Sequence, residues 1–270
     1  MTIARFIRTV SAVFALLAGF VVATVGSANA QTMPTIVLVH GAFADTTSWD
    51  GVADNLRGRG YQVVVPENPL RGPAYDAAAI EKTLANISGP VVLVGHSYGG
   101  AVISNTHNPN VKALVYIAAF APMQGEAVAG ALNPIRFPGS QLVPPALQMK
   151  VVDDTSNAAD RNVDAYIADG SFHQVFAPDV SDATAATMLA HQKSIAASAN
   201  VEPSGPPAWS NLPSWYLVSA GDTVIPPEAE RFMAMRMGAH TSEVQASHVA
   251  LVSQPAVVAD VITAAATGTE

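Results

Sequence analysis

Short, continuous apolar runs recur along the chain, and most are followed by a stretch with helical periodicity. Thr35–Val39 (TIVLV) is too short for a helix and rich in β-branched residues. Residues 62–65, 91–94, 111–117 and 214–218 read the same way, and 242–245 more weakly. Runs that are apolar on both faces suit strands buried in a parallel sheet. The helical patterns between them cover 48–59, 75–87, 98–106, 227–237 and 255–265. This alternation predicts right-handed crossovers and an α/β fold: a doubly wound, mostly parallel sheet of about six strands with helices on both faces. The alternation breaks once, over 123–212, far longer than an ordinary connection. That segment opens and closes with prolines and carries one clear helical pattern, at 182–197. It is expected to be a mainly helical cap inserted over the C-terminal edge of the sheet, where open α/β folds bind ligands. The core is then 31–122 and 213–270.

The first thirty residues stand outside this pattern. Arg5 and Arg8 precede a small, apolar stretch at 10–25, which ends in Ala28-Asn29-Ala30. A basic start, an apolar centre and an A-x-A end describe a signal peptide cleaved after Ala30. The alternative, a membrane anchor, would need about 20 apolar residues. Cleavage removes two arginines and no acids, taking the net charge from −8 to −10. No cysteine follows the cleavage point to carry a lipid, so an exported protein, periplasmic or secreted and without a stable membrane anchor, is expected.

Composition narrows the chemistry. Half of the residues are hydrophobic and 13% are charged, which excludes a disordered chain. The acidic balance argues against a nucleic-acid partner, because phosphate binding needs a basic face. With no cysteine in the sequence, thiol catalysis, disulfides and Cys-based metal sites are excluded. No dense His/Asp/Glu spacing points to a metal.

One pentapeptide carries a reaction. Gly95-His96-Ser97-Tyr98-Gly99 follows the apolar run 91–94 and precedes a helical pattern. In that strand–turn–helix setting, G-x-S-x-G is a nucleophile elbow, with Ser97 as nucleophile. The matching acid and base come later in the chain, in that order. Asp222 follows the strand run 214–218 directly, and His248 follows the last strand run. His248 is expected to take the serine proton, with Asp222 orienting its ring. The oxyanion would be held by the backbone N–H groups of Tyr98, next to the nucleophile, and of Ala42, in the loop after the first strand. His40 is read as a brace for that loop and His96 as packing beneath the elbow. His107, His173, His191 and His240 are read as structural or surface residues. Phe43, Tyr98, Met123, Phe172, Phe176 and Trp209 are candidate apolar walls for a substrate pocket.

Together VLVHGAFADTTSW, VVLVGHSYGG, Ala220-Gly221-Asp222 and ASHVALVSQP resemble the α/β-hydrolase superfamily. Within it they resemble the small branch holding plant methyl-ester esterases, hydroxynitrile lyases and bacterial carboxylesterases. The resemblance runs from Thr35 to about Ala265 and fades over 123–212. It implies a Ser97–His248–Asp222 triad, oxyanion donors at Ala42 and Tyr98, and no cofactor. Lyase members carry a lysine directly after the catalytic histidine, whereas Val249 stands here. The expected activity is hydrolysis of small, largely apolar neutral esters or lactones through an acyl-enzyme. Cofactor-free perhydrolase, peroxidase or dioxygenase chemistry is an alternative on the same core, as is a hydrolase-derived binding protein.

Overall fold

A computed structural model describes residues 33–268; the expected signal peptide lies outside the described residues. In chain order the strands are β1 (Thr35–Val39), β2 (Val63–Val64), β3 (Val91–His96), β4 (Val111–Ile117), β5 (Leu147–Asp153), β6 (Arg161–Ile167), β7 (Ile195–Ala196), β8 (Ser214–Ser219) and β9 (His240–Val244). The α-helices are α1 (Asp50–Gly58), α2 (Pro73–Leu84), α3 (Tyr98–Ser104), α4 (Val128–Ala131), α5 (Asp169–Phe176), α6 (Asp182–Ala190), α7 (Pro227–Arg236), α8 (Ala250–Ser253) and α9 (Pro255–Thr267).

Six strands form one sheet in the order β2-β1-β3-β4-β8-β9, and every pairing is parallel. The central strand β3 is buried at every position, as its unbroken apolar run requires. At one edge, β9 (HTSEV) is exposed along most of its length, which is why its sequence signal is weak. His240 opens this strand, and its ring stacks on Trp215 at 4.8 Å. Helix α9 packs on α1 and covers β3, β4 and β8, whereas α3 lies against β1, β3 and β4 with α2 beside it. From β1 the chain steps to β2 on one side and then to β3 on the other. Such a reversal leaves a crevice at the carboxyl ends of the two neighbouring strands. Val39 pairs with Gly95 across β1 and β3, so the loops that begin at His40 and Ser97 open side by side.

Between β4 and β8, the insert holds a three-stranded antiparallel sheet, β5-β6-β7, beside its helices. The expectation of a mainly helical cap did not include this sheet. Most of β5 is exposed, so its sequence lacks the alternation that a half-buried strand would carry. The helix expected over 182–197 ends at Ala190, because Ile195 and Ala196 pair with β6. Tertiary pairing here overrides a run of good helix formers. Among the described residues, no helix is long and apolar enough to cross a membrane.

Candidate active site

Ser97 sits between β3 and α3 with φ 52° and ψ −124°, a left-handed conformation that costs a non-glycine residue energy. The neighbouring glycines make this turn possible by close approach. A Cβ at Gly95 would lie 2.6 Å from the carbonyl of Gly99, and one at Gly99 would lie 2.5 Å from the Val39 carbonyl oxygen. The turn is pinned where the Ser97 carbonyl accepts the N–H groups of Gly100 (2.9 Å) and Phe120 (3.0 Å).

The loop after β1 is pressed against this elbow, since a Cβ at Gly41 would stand 2.7 Å from Ser97 Cβ. His40 braces the loop from beneath. Its Nε2 accepts the Asn68 amide at 3.1 Å, so the proton sits on Nδ1, which donates to the Gly41 carbonyl at 2.9 Å. Burial pushes the His40 imidazole below its usual range and favours this neutral form. Asn68 returns a second bond from its side chain to the His40 carbonyl at 2.9 Å. The Phe43 amide is tied to the Lys193 carbonyl in the insert at 2.9 Å. The amides of Ala42 and Tyr98 have no partner among the described residues, which leaves two N–H donors beside Ser97.

His248 is fully buried, and its Nε2 lies 2.9 Å from Ser97 Oγ. Its Nδ1 lies 2.6 Å from Asp222 Oδ2, while Asp222 Oδ1 accepts the amides of Val224 (2.6 Å) and Ile225 (3.0 Å). Asp222 follows β8 and His248 follows β9, so two adjacent strand ends deliver the acid and the base. His96 donates Nε2–H to the His248 carbonyl at 2.9 Å and packs its ring 4.8 Å from the imidazole. Burial, reinforced by His248, holds His96 well below its usual range and keeps it uncharged. Asp179, in the insert, accepts the Ser247 amide (2.7 Å) and hydroxyl (2.5 Å), anchoring the His248 loop from the other side. Asn68 and Asp179 were not anticipated. Their partners lie 28 and 68 residues away in the chain, beyond any local sequence signal.

Ser97 opens into a cavity of about 270 Å³. Its floor is Ala42, Phe43, Phe120 and Val224, and the insert supplies the roof through Leu132, Leu142, Leu147, Met149, Ile195 and Val201 among others. The polar side chains in the lining are Ser97 and Asn200, and no Lys, Arg, Asp or Glu takes part. Phe43 is in this wall; Met123, Phe172, Phe176 and Trp209 are not. Met123 is half exposed, and Trp209 donates its indole N–H to the Pro122 carbonyl at 3.2 Å. Phe172 and Phe176 are buried, with Phe176 filling space between Phe43 and the His248 ring. The Tyr98 side chain points away as well, donating its hydroxyl to Asp76 at 2.7 Å. His107, His173, His191 and His240 line no part of this cavity. Among the described residues, no group of three or more His, Asp or Glu side chains is placed to hold a metal ion.

The profile of the alpha/beta hydrolase family matches residues 36–261. A carbendazim-hydrolysing esterase of Nocardioides sp. (strain SG-4G) is 31% identical over 115 residues, covering 37% of this chain and 48% of the relative. This match therefore spans about half of the relative's length. An alpha/beta hydrolase of Aspergillus novofumigatus is 27% identical over 268 residues, covering 86% of this chain and 96% of the relative. Among solved structures, a pyrethroid hydrolase from Sphingobium faniae JZ-2 superposes with a TM-score of 0.72 at 22% identity, covering 87% of this chain and 98% of the other.

Proposed function

The chain belongs to the alpha/beta hydrolase family, and from that membership we propose that it is a serine carboxylic-ester hydrolase acting on small, largely apolar neutral esters or lactones. The observation that carries this reading is the unbroken hydrogen-bond chain from Ser97 through His248 to Asp222, opening on an uncharged cavity. The names of the relatives, an esterase and a pyrethroid hydrolase, support ester hydrolysis.

The mechanism follows from the geometry. Ser97 Oγ attacks the ester carbonyl as His248 Nε2 takes its proton, and Asp222 stabilises the resulting imidazolium. The carbonyl oxygen becomes an oxyanion, held by the N–H groups of Ala42 and Tyr98; removing one such donor typically costs about 10² to 10³ in rate. As the tetrahedral intermediate collapses, His248 returns the proton to the departing alcohol and the acyl group stays on Ser97. A water then repeats the sequence and releases the acid. The apolar walls favour a neutral substrate, since a charged one would lose hydration with no partner in the lining. Export through the signal peptide at 1–30 belongs to this proposal, and N-terminal sequencing of the secreted product tests it.

The central test is hydrolysis of a p-nitrophenyl ester series by the mature chain, beside Ser97→Ala and a serine-directed phosphonate probe. Turnover with labelling at one serine, both lost in Ser97→Ala, is expected. Normal turnover in Ser97→Ala refutes the proposal.

A further inference from the structure

Glu230 lies on α7, away from the substrate cavity, yet its side chain is completely buried. Acidic side chains are almost never fully buried unless they are paired, and this one has no cation. Its neighbour Arg231 turns to the surface, where it engages Glu228 and Glu243. Glu230 Oε2 accepts the Ser219 amide at 3.0 Å, while Oε1 faces no N–H donor. The turn that Glu230 binds also carries the acid of the site: the Asp222 amide donates to the Ser219 carbonyl at 3.1 Å, so the group that bears most strongly on the buried Glu230 carboxyl is another carboxylate, that of Asp222. Tyr216, on the same strand as Ser219, offers no proton, because its hydroxyl donates to the Ala119 carbonyl and accepts the Ala119 amide.

Two carboxylates in contact and out of water cannot both be ionised. Asp222 already has three N–H partners, from Val224, Ile225 and the His248 ring, whereas Glu230 has one. The negative charge therefore belongs on Asp222 and the proton on Glu230. We propose that Glu230 is a positioning residue of the site, a neutral carboxylic acid whose Oε1–H donates to the Asp222 carboxylate while Oε2 accepts the Ser219 amide. Burial, reinforced by Asp222, holds the Glu230 carboxyl well above the usual carboxylate range, as this arrangement requires. The inference rests on the triad proposed above. It adds a fourth donor to Asp222, ties the acid to α7, and leaves His248 facing one negative charge rather than two. The groups that bear on Glu230 are Asp222, Tyr216 and Arg231, with His248 acting through Asp222.

Glutamine can reproduce both bonds, because its NH2 can donate to Asp222 and its carbonyl can accept from Ser219. Leucine can make neither. Glu230→Gln, Glu230→Leu and Ser97→Ala are compared in the mature chain with a p-nitrophenyl ester, from pH 5 to pH 9. Glu230→Gln is expected to keep kcat within about twofold, with the acidic limb of kcat/KM unmoved. Glu230→Leu is expected to lose roughly 10- to 100-fold in kcat, the equivalent of one hydrogen bond to a charged group, with KM little changed. An acidic limb that moves to lower pH in Glu230→Gln overturns the inference, because it would mean that the glutamate carries a charge. Equal activity in the Gln and Leu variants also overturns it. Infrared spectroscopy at neutral pH supplies a readout free of activity and of the fold of the Leu variant. A protonated-carboxyl band present in the parent and absent in Glu230→Gln is expected, and its absence from both refutes the neutral acid. Full activity in Ser97→Ala would instead bring down the underlying catalytic reading.

Discussion

Arg71→Met should unfasten the insert from the core, and the effect can be sized from the structure. Arg71 lies in the connection between β2 and α2, and its guanidinium reaches into the sheet of the insert. It meets Asp164 on β6 through two bonds (2.9 and 2.7 Å) and Asp154 after β5 at 3.0 Å. The three side chains are 15%, 2% and 7% exposed for Arg71, Asp164 and Asp154, so water cannot take over when one partner is lost. The Arg71 amide also donates to Asp76, which accepts the Tyr98 hydroxyl; the contact chain thus runs from the insert to the first residue of α3. Methionine would leave two buried carboxylates without their cation. Breaking a buried pair from one side costs about 3–5 kcal/mol. For a domain of this size, about 2–4 °C of Tm accompanies each kcal/mol, so a fall of roughly 6–20 °C is expected. Differential scanning calorimetry of the mature chain measures it. Adding Asp164→Asn to Arg71→Met should restore part of the loss, because it removes one of the stranded charges. A single variant that melts within about 2 °C of the parent would refute the reasoning, since so small a change corresponds to about 1 kcal/mol or less.

Three further outcomes follow from the same geometry. Asp222→Asn should lower kcat by on the order of 10⁴ with the melting curve little changed, because the ring then loses its orienting anion and the correct tautomer; steady-state kinetics beside calorimetry checks it. Gly99→Ala would set a Cβ 2.5 Å from the Val39 carbonyl oxygen and 3.1 Å from that of His40, both rigid backbone. It should therefore both destabilise the fold and abolish turnover, and an active variant with the parent Tm would contradict the close-packed elbow. Glu230→Gln should be more stable than the parent by a margin that grows with pH. A carboxyl whose folded pKa is raised gives its full stability below the unfolded value of 4.5 and loses it as the pH rises towards the folded one. The amide does not titrate, so the Tm difference should be small near pH 4.5 and grow as the pH rises from there; a difference that shrinks as pH rises reverses the assigned sign.

The fold and its family are legible along the chain. Parallel strands buried on both faces must be apolar throughout, so β1, β3, β4 and β8 announce themselves locally, and the glycines around Ser97 mark a turn that tolerates no side chain. Chain order in a doubly wound sheet is enough to expect Ser97, Asp222 and His248 at the carboxyl ends of strands, here β3, β8 and β9. What surrounds them depends on contacts made only in the folded chain. The insert could not be read because β5 is exposed and β7 is two residues long, and neither leaves a periodic trace. Phe172 and Phe176 look like pocket walls in the sequence, yet they pack as core, because an aromatic side chain carries no mark of which cavity it faces. Asn68, Asp179 and Glu230 act on the site through hydrogen bonds to residues distant in the chain or through burial, and a one-dimensional pattern records neither. Local propensity and strand order are written along the chain, whereas desolvation and the meeting of two carboxylates exist only once the chain has closed on itself.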